Sequence, residues 1–288
     1  MRRRKRSLAP SDSACFNPGV LLSEVEYARP PSVEEALRLL SENDNARALA
    51  GGQTLINVMK QRAASPDMLV DLAELEELTP AAPAADGGLE LGAMATLSEV
   101  VSSPEVAERR PILAETASRI ADVQVRNRGT VGGNVCSNDP TNHLPPLMVA
   151  MGATMTIAGT GGTRTVPAEE FFLGVYMTAV STGELLTKIT IPPAGGSGDG
   201  FSSVTIGNEG TGIVNVAATV NGEARIAIGC VAAVPVLVTA RPDDDSVLEA
   251  VRGAGLDPPS DVHGSGEYRR QLAEVLAVRA VRRARSSG

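Results

Sequence analysis

Apolar positions alternate between helical and extended spacing in the first part of the chain. Ser32 is followed three residues later by Glu35, and this pair predicts a capping box at the start of a helix. Arg47–Ala50 and Met68–Leu72 are short apolar stretches, and each predicts a strand. The alternation of helix and strand predicts a small α/β unit. The helix is indicated by apolar residues at i, i+3, i+4 and i+7: Val33, Ala36, Leu37 and Leu40.

A second unit begins at Leu89–Ala93, after a predicted loop over Pro80–Gly88. Capped or apolar stretches predict its helices: Thr96–Val101, the segment that opens at Ser103, Pro111–Asp122 and Leu144–Ala150. Extended apolar stretches predict its strands: Ala153–Ile157, Arg164–Val166 and Leu185–Ile191.

The pattern changes in the last third of the chain. Ala194–Gly200 is rich in glycine and is interpreted as a linker. Asn221-Gly222 lies between two apolar stretches and predicts a β-hairpin over Ile213–Cys230. Helices are predicted after Asp243–Asp245, where negative charge suits the helix dipole, and over Glu267–Arg285. The predicted domains are a disordered tail (1–24), a first domain (25–193, with subdomains at about 25–78 and 79–193) and an α+β domain (194–288).

Composition argues against several classes of protein. The net charge of −8 and the aromatic share of 2% argue against a nucleic-acid partner. Cys15, Cys136 and Cys230 lie far apart and form no CxxC pair, which argues against a metal cluster held by this chain alone. The basic start, Met1–Arg6, precedes no apolar segment, so we expect no export signal and a cytoplasmic location. No apolar run reaches about 18 residues, so we expect no membrane span.

Two glycine motifs carry the candidate chemistry: Ala50–Leu55 and Gly129–Asn134. Adjacent glycines permit positive φ angles and a close approach of the backbone to a ligand. Successive N–H groups that point inward form a nest for phosphate oxygens. The two motifs therefore predict two loops that grip one diphosphate. The alternative interpretation, that both are ordinary tight turns, is open for either motif taken alone.

Further motifs occur in the order and spacing of one known family: Tyr27–Ala36, Ala50–Thr54, Arg126–Asn134, Asp139-Pro140, Phe171–Gly174, Gly183–Leu186 and Ala224–Gly229. Together they resemble the FAD-binding medium subunit of molybdenum hydroxylases. That family includes the carbon monoxide dehydrogenase medium subunit and the flavin domain of xanthine dehydrogenase. The resemblance covers about residues 25–285.

The resemblance implies an α+β fold, in which two α/β subdomains of a PCMH-type FAD-binding fold precede a small antiparallel sheet with helices. It implies FAD as the cofactor. Its implied partners are a [2Fe-2S] small subunit and a molybdopterin large subunit. It assigns cofactor contacts to these positions: Leu49, Ala50, Gly51, Gly52, Gln53, Thr54, Leu55, Thr130, Val131, Gly132, Gly133, Asn134, Asp139, His143 and Leu186.

Two positions depart from the family pattern. His143 stands where the family carries a carboxylate near the flavin's ribityl or phosphate region, and it is interpreted as either a cofactor contact or a structural cap. Thr205 is the nearest match to a lysine that several relatives direct toward the flavin ring. A missing cation there would stabilise reduced anionic flavin less.

Three other residues leave alternatives open. Asp139 is expected to fix its own loop by an Asx-type hydrogen bond as well. Cys136 is interpreted as a small buried residue rather than a reactive thiol, and Tyr176 packs either near the flavin or in the core.

The main functional hypothesis is therefore an electron-transfer subunit whose FAD receives electrons from iron–sulfur centres on a partner and passes them to an external acceptor. Substrate oxidation would take place on another polypeptide. A stand-alone FAD-dependent oxidase or dehydrogenase that acts directly on a small molecule is the alternative. A module that kept the fold and lost FAD is a third hypothesis, against which the two intact glycine motifs argue.

Overall fold

A three-stranded parallel sheet forms the first layer of the structure. The structure is a computed structural model, and it describes residues 22–79, 81–207 and 210–288. Most of the predicted N-terminal tail lies outside these described residues. The strands pair in the order β1-β3-β2, with Glu26 and Ala46 both opposite Met68. The elements of this layer are β1 (Glu26–Ala28), α1 (Val33–Glu42), β2 (Ala46–Leu49), α2 (Leu55–Lys60), β3 (Met68–Asp71) and a 3-10 turn (Glu76–Leu78).

The start of α1 corrects one detail of the prediction. The Ser32 hydroxyl accepts a hydrogen bond from the Glu35 N–H at 3.2 Å, as a capping residue should. The Glu35 carboxylate, however, accepts from the Arg38 guanidinium at 2.8 Å, so the reciprocal half of the capping box is missing. The predicted apolar stripe is correct. Ala36, Leu37 and Leu40 are buried in the core under the parallel sheet.

A five-stranded sheet follows, with antiparallel pairing throughout and the order β4-β5-β10-β6-β7. The predicted loop Pro80–Gly88 contains an edge strand, which is a correction, since Ala81 pairs with Leu91. The strands of this layer are β4 (Ala81–Pro83), β5 (Leu89–Gly92), β6 (Thr154–Gly159), β7 (Gly162–Pro167) and β10 (Leu185–Ile191), with a small hairpin of β8 (Phe172–Gly174) and β9 (Met177–Thr178).

Short helices cover this second sheet and bury the largest apolar cluster of the described chain. Thr96 and Glu99 form a complete capping box at the start of α3. The predicted helix Pro111–Asp122 is too long. It ends at Ser118, and Ala121 then adopts a left-handed φ of 48°. The helices are α3 (Leu97–Ser102), α4 (Pro104–Arg109), α5 (Pro111–Ser118), α6 (Val123–Arg126), α7 (Val131–Ser137), α8 (Leu144–Ala150) and α9 (Ala168–Phe171).

A four-stranded antiparallel sheet and two helices form the last part of the chain. The predicted hairpin is present, and Gly222 turns it with a φ of 71°. The helices after Asp243 and over Glu267–Arg285 are also present as predicted. The elements are β11 (Gly198–Ile206), β12 (Thr211–Asn221), β13 (Glu223–Gly229), β14 (Val236–Ala240), α10 (Asp244–Gly253) and α11 (Gly266–Ser287).

The predicted linker Ala194–Gly200 is partly wrong, because β11 already begins at Gly198. A Cβ atom at Gly198 would lie 1.8 Å from the Ala284 carbonyl oxygen, and one at Gly200 would lie 2.0 Å from that of Ala280. Both glycines are therefore required for the close packing of β11 on α11. These glycines let the backbone of β11 approach α11 closely. The sequence pattern alone indicated a flexible linker instead.

A buried ion pair ties the middle of the chain to the last sheet. Arg110 Nη1 lies 2.7 Å from Asp199 Oδ2, and both side chains are more than nine-tenths buried. Arg110 Nη2 also donates to the Pro192 carbonyl at 2.8 Å, and the Thr219 hydroxyl donates to Asp199 Oδ1 at 2.7 Å. These hydrogen bonds satisfy the second carboxylate oxygen and the second terminal nitrogen of the pair, which a buried ion pair requires.

The predicted α+β class is confirmed by the three main sheets and the helices that cover them. The domain boundaries stay a prediction. Across the part of the chain that the structure describes, no helix is long and apolar enough to cross a membrane.

Candidate functional site

The first glycine motif forms a tight turn between β2 and α2. Gly52 adopts a φ of 72°, the left-handed region that glycine enters without a Cβ penalty. Within the described residues, the backbone N–H groups of Gly51, Gly52, Gln53 and Thr54 donate no hydrogen bond to the chain. All except the exposed Thr54 are partly buried. Such a row of unengaged donors is the feature by which a backbone nest binds an anion.

The second glycine motif differs from its prediction. Gly132 and Gly133 have no positive φ and lie in the first turn of α7. Their amides are also engaged, since Gly132 N–H donates to the Ala93 carbonyl at 2.8 Å and Gly133 N–H to the Thr130 hydroxyl at 3.0 Å. Val131 N–H donates to the chain in the same way. The prediction of a second positive-φ nest is therefore wrong, because this segment uses its N–H groups to cap α7 and to attach it to the turn that follows β5.

The two motifs nevertheless lie against each other, although they are far apart in sequence. A Cβ atom at Gly51 would lie 2.0 Å from the Arg128 carbonyl oxygen and 2.9 Å from the Gly129 Cα. A Cβ atom at Gly133 would lie 3.8 Å from the Ala50 Cβ. The absence of side chains on these glycines permits the contact. The structure thus brings both motifs to one place. The first motif presents a row of unengaged backbone N–H groups, whereas in the second only the Thr130 N–H has no partner among the described residues.

The remaining side chains of the first motif are available at this turn. Thr54 is exposed at the N-cap position of α2, and its hydroxyl makes no capping hydrogen bond. Gln53 Nε2 donates to the Gly51 carbonyl at 3.2 Å. Leu49 ends β2, and Ala50 and Leu55 flank the turn with partly buried side chains. Because a diphosphate carries acceptors only, these amide and hydroxyl donors fit it.

Asn134 lies in the middle of α7, and Asp139 lies in the loop that follows the helix. Asn134 Oδ1 is buried without a hydrogen bond among the described residues, and the Asn134 carbonyl accepts from Asn142 Nδ2 at 3.0 Å. Asp139 Oδ1 accepts from the Thr141 N–H at 2.9 Å, which is the expected Asx-type bond. Its second oxygen accepts from the Tyr176 hydroxyl at 3.1 Å. Asp139 therefore braces its loop, and its contact with a cofactor stays a prediction.

His143 precedes α8 and is almost completely buried. Its side chain makes no capping hydrogen bond, so the interpretation as a side-chain cap is wrong. Nδ1 lies 3.2 Å from Asn215 Nδ2, and the ring packs on Phe201 with centroids 5.4 Å apart. Burial lowers the pKa of His143 to about 4, and the charge of Arg119 acts in the same direction. His143 is therefore neutral at pH 7. Its contacts with Asn215 and Phe201 join the start of α8 to the last sheet.

Four other residues of interest lie away from the glycine turn or are buried. The Leu186 side chain is buried in the core beneath β10, so only its backbone can face a ligand. Tyr176 is 62% exposed, so its assignment to the core is wrong. Thr205 is exposed near the end of β11. Burial raises the pKa of Cys136 to about 12, which agrees with an unreactive thiol.

Asn138 is a residue that sequence reasoning missed. It ends α7 with a left-handed φ of 38°, and its buried amide donates to the Gly174 carbonyl at 2.6 Å and to that of Met177 at 3.2 Å. The Tyr176 N–H donates back to the Asn138 carbonyl. The β8–β9 hairpin is thereby fastened to the end of α7. An asparagine directly before Asp139-Pro140 is a pattern typical of such a left-handed helix end.

A β–α turn with unengaged amides, closed by a second glycine motif, has the geometry of a backbone anion site. The chain matches the family model described as the FAD binding domain in molybdopterin dehydrogenase over residues 23–194. It is 38% identical to the carbon monoxide dehydrogenase medium chain of Afipia carboxidovorans over 279 residues, which are 91% of this chain and 96% of that relative. It is 33% identical to the nicotine 6-hydroxylase medium subunit of Paenarthrobacter nicotinovorans, covering 90% of this chain and 97% of that one.

Solved structures agree with these relatives. Reconstituted CO dehydrogenase from Oligotropha carboxidovorans contains a chain that superimposes with a TM-score of 0.88 at 34% identity, covering 93% of this chain and 100% of that chain. Quinoline 2-oxidoreductase from Pseudomonas putida 86 gives a TM-score of 0.84 at 31% identity, covering 92% and 98%. The chain belongs to the family of FAD-binding domains of molybdopterin dehydrogenases. The predicted cofactor, FAD, and the resemblance to the medium subunits are confirmed.

Proposed function

We propose that this chain is the FAD subunit of a multi-subunit dehydrogenase and transfers electrons from a partner to an external acceptor. The observation that carries the proposal is the turn Gly51–Thr54, whose N–H groups are unengaged and which a second glycine motif closes. Matches of 89–91% of this chain to proteins named medium chain or medium subunit support the proposal. When bound, FAD supplies the electron-transfer chemistry, and the protein supplies position and electrostatics.

Within this proposal, the first motif holds the diphosphate through its amides and the Thr54 hydroxyl. The second motif supports that turn from behind, because the amides of Val131, Gly132 and Gly133 are engaged. Asn134 is the second-motif residue best suited to a polar cofactor contact, since its buried Oδ1 has no partner among the described residues. Leu186 contributes backbone only. His143 acts at a distance from the turn, as a neutral residue between α8 and the last sheet.

The proposed partners are a small subunit with [2Fe-2S] centres and a large subunit with molybdopterin, and the proposed location is the cytoplasm. The names of the relatives support a multi-subunit assembly, since they include medium chains of carbon monoxide and glyceraldehyde dehydrogenases. Among residues 22–79, 81–207 and 210–288, no group of three or more His, Cys, Asp or Glu side chains forms a metal site. Co-purification of this chain with iron, sulfide and molybdenum tests the assembly. Reduction of its flavin by a substrate without partners would contradict it.

The cofactor assignment is tested by Gly52→Ala with Gly255→Ala as the matched control. Both glycines have a positive φ, of 72° and 62°, so both substitutions carry a similar backbone strain of about 1 kcal/mol. Only Gly52 lies in the turn with unengaged amides. Gly255 lies outside that turn, and a Cβ atom there would meet nothing within 4 Å. We expect the FAD-to-protein ratio to fall in Gly52→Ala and to stay at the wild-type value in Gly255→Ala. Equal flavin content in the two variants would contradict the assignment of the diphosphate to this turn.

A further inference from the structure

Arg128 directly precedes the second glycine motif, and its backbone lies against the glycine turn. A Cβ atom at Gly51 would lie 2.0 Å from the Arg128 carbonyl oxygen and 2.7 Å from its carbonyl carbon. A Cβ atom at Gly129 would lie 3.8 Å from the Gln53 Cγ. The backbone of Arg128 and Gly129 is therefore close to two residues of the turn.

Hydrogen bonds hold this backbone in place from two sides. The N–H groups of Arg128 and Gly129 both donate to the Val125 carbonyl, at 3.1 and 2.6 Å. The Gly129 carbonyl accepts from the Leu97 N–H at 2.9 Å. The base of the Arg128 side chain thus has a fixed position beside the turn, while the side chain itself is exposed.

The Arg128 guanidinium makes no ion pair or hydrogen bond with the residues that the structure describes. Arg126, two residues earlier, is engaged by contrast, since its Nη1 donates to the carbonyls of Ile120 at 3.0 Å and Ala121 at 2.7 Å. An exposed arginine without a partner is common on protein surfaces. Arg128 differs from such a residue because its backbone touches a row of unengaged amides.

The two glycine motifs alone do not balance the charge of a diphosphate. Neither Ala50–Leu55 nor Gly129–Asn134 contains a charged side chain, so the unengaged N–H groups contribute only dipoles. Of the cations near the first motif, Arg47 Nη1 donates to a backbone carbonyl at 2.9 Å, and Lys60 lies at the far end of α2. Arg128 is therefore the cation best placed to neutralise an anion at the turn.

The chemistry of the guanidinium group fits such an anion. Its planar N–H donors match the oxygens of a phosphate group in pairs, which a lysine ammonium does not. The long side chain starts from a backbone that touches the turn, so the guanidinium can reach a phosphate bound there. The backbone amides of the turn then remain free for the other phosphate oxygens.

We propose that the Arg128 side chain binds the diphosphate of FAD, an inference that rests on the proposed function. The amides of the turn fix the position of the diphosphate, and Arg128 neutralises part of its charge. FAD binding to this chain therefore depends on ionic strength, and Arg128 carries most of that dependence. The flavin ring takes no part in this contact.

The test uses the full chain, with any subunits that co-purify, after removal of its flavin. The variants are Arg128→Gln and Arg128→Lys. Arg279→Gln is the matched control, because Arg279 is also exposed and has no ion pair among residues 22–79, 81–207 and 210–288. Fluorescence titration at low salt measures the Kd for FAD. We expect this Kd to rise roughly tenfold in Arg128→Gln, less in Arg128→Lys, and not at all in Arg279→Gln.

The second measurement repeats the titrations at increasing sodium chloride concentration. The Kd of the wild type should rise with salt, because ions screen a contact between charges. The Kd of Arg128→Gln should rise less steeply, so that the two values converge at about 1 M salt. Wild-type affinity of Arg128→Gln at low salt would overturn the proposal. A loss of affinity that stays the same at high salt would also overturn it, because the role of Arg128 would then be structural.

Urea unfolding of the flavin-free proteins separates binding from folding. We expect equal free energies of unfolding for the wild type and Arg128→Gln, since the side chain is exposed. A clear loss of stability in Arg128→Gln would assign the residue to the fold and overturn the proposal. If the wild type binds no FAD, the proposed function fails and this inference fails with it. If the wild type binds FAD and Arg128→Gln binds it equally well, only the role of Arg128 is refuted.

Discussion

The two glycine motifs look alike in sequence and differ in the structure. The turn around Gly52 has a left-handed residue and a row of N–H groups with no partner in the described chain. The motif around Gly132 is the first turn of a helix whose N–H groups are engaged. The geometry of the first motif therefore suits an anionic ligand, and that of the second suits packing. Adjacent glycines alone do not distinguish a phosphate site from a close contact between two backbones.

The largest expected effect is a loss of stability in a Gly132 variant. It tests whether the second motif contributes to packing or binds phosphate. A Cβ atom at Gly132 would lie 2.6 Å from the Ala93 carbonyl oxygen, so Gly132→Val should destabilise the fold by about 3 kcal/mol or more. Gly161→Val is the control, because a Cβ at Gly161 meets nothing within 4 Å. Urea unfolding of both variants measures the difference. A Gly132→Val variant with wild-type stability that has lost only FAD would return the second motif to the role of a phosphate site.

A smaller effect concerns His143, which follows the second motif and serves packing as well. Its pKa is about 4 in the folded protein and 6.5 when unfolded, so the unfolded chain binds a proton more readily. Stability is therefore complete above pH 6.5 and falls by about 3 kcal/mol as the pH drops toward 4. Unfolding free energies measured across this range should lose that slope in His143→Phe and keep it in His263→Gln. An identical slope in wild type and His143→Phe would place the titrating group elsewhere.

The smallest expected effect sharpens the role of the first motif. Thr54→Val removes an exposed hydroxyl without a capping hydrogen bond, so stability should change by less than about 0.5 kcal/mol. The Kd for FAD should nevertheless rise about tenfold, because a hydrogen bond to a charged phosphate contributes about 1.5 kcal/mol. Fluorescence titration with FAD measures this change. Thr163→Val, at an exposed position on β7, is the control and should bind FAD as the wild type does. Equal affinity of both variants would remove Thr54 from the site.

Elements whose cause is local could be predicted from the sequence. Asn221-Gly222 turns its hairpin where expected, since only its own two residues set the turn. The strand predicted over Arg47–Ala50 is present as Ala46–Leu49 for the same reason, and Gly52 in the turn that follows carries the required φ. The family resemblance, which rests on the order of many short motifs, predicted FAD correctly.

Features that depend on distant partners could not be predicted. The amides of the second motif are engaged by Ala93 and Ala95, which no local pattern connects to Gly132. In sequence, Gly198 resembles a flexible linker residue. The structure requires glycine there because the backbone packs closely against α11, which lies at the far end of the chain. The burial of His143 depends in the same way on Asn215 of the last sheet.

The ion pair between Arg110 and Asp199 sets a condition on any hybrid of this protein with a relative. A hybrid that takes its final sheet and helices from another chain must bring a carboxylate to the place of Asp199. Otherwise Arg110 remains buried without a counter-charge, at a cost of about 3–5 kcal/mol. The flavin-binding part and the final sheet are therefore exchanged safely only as a matched set.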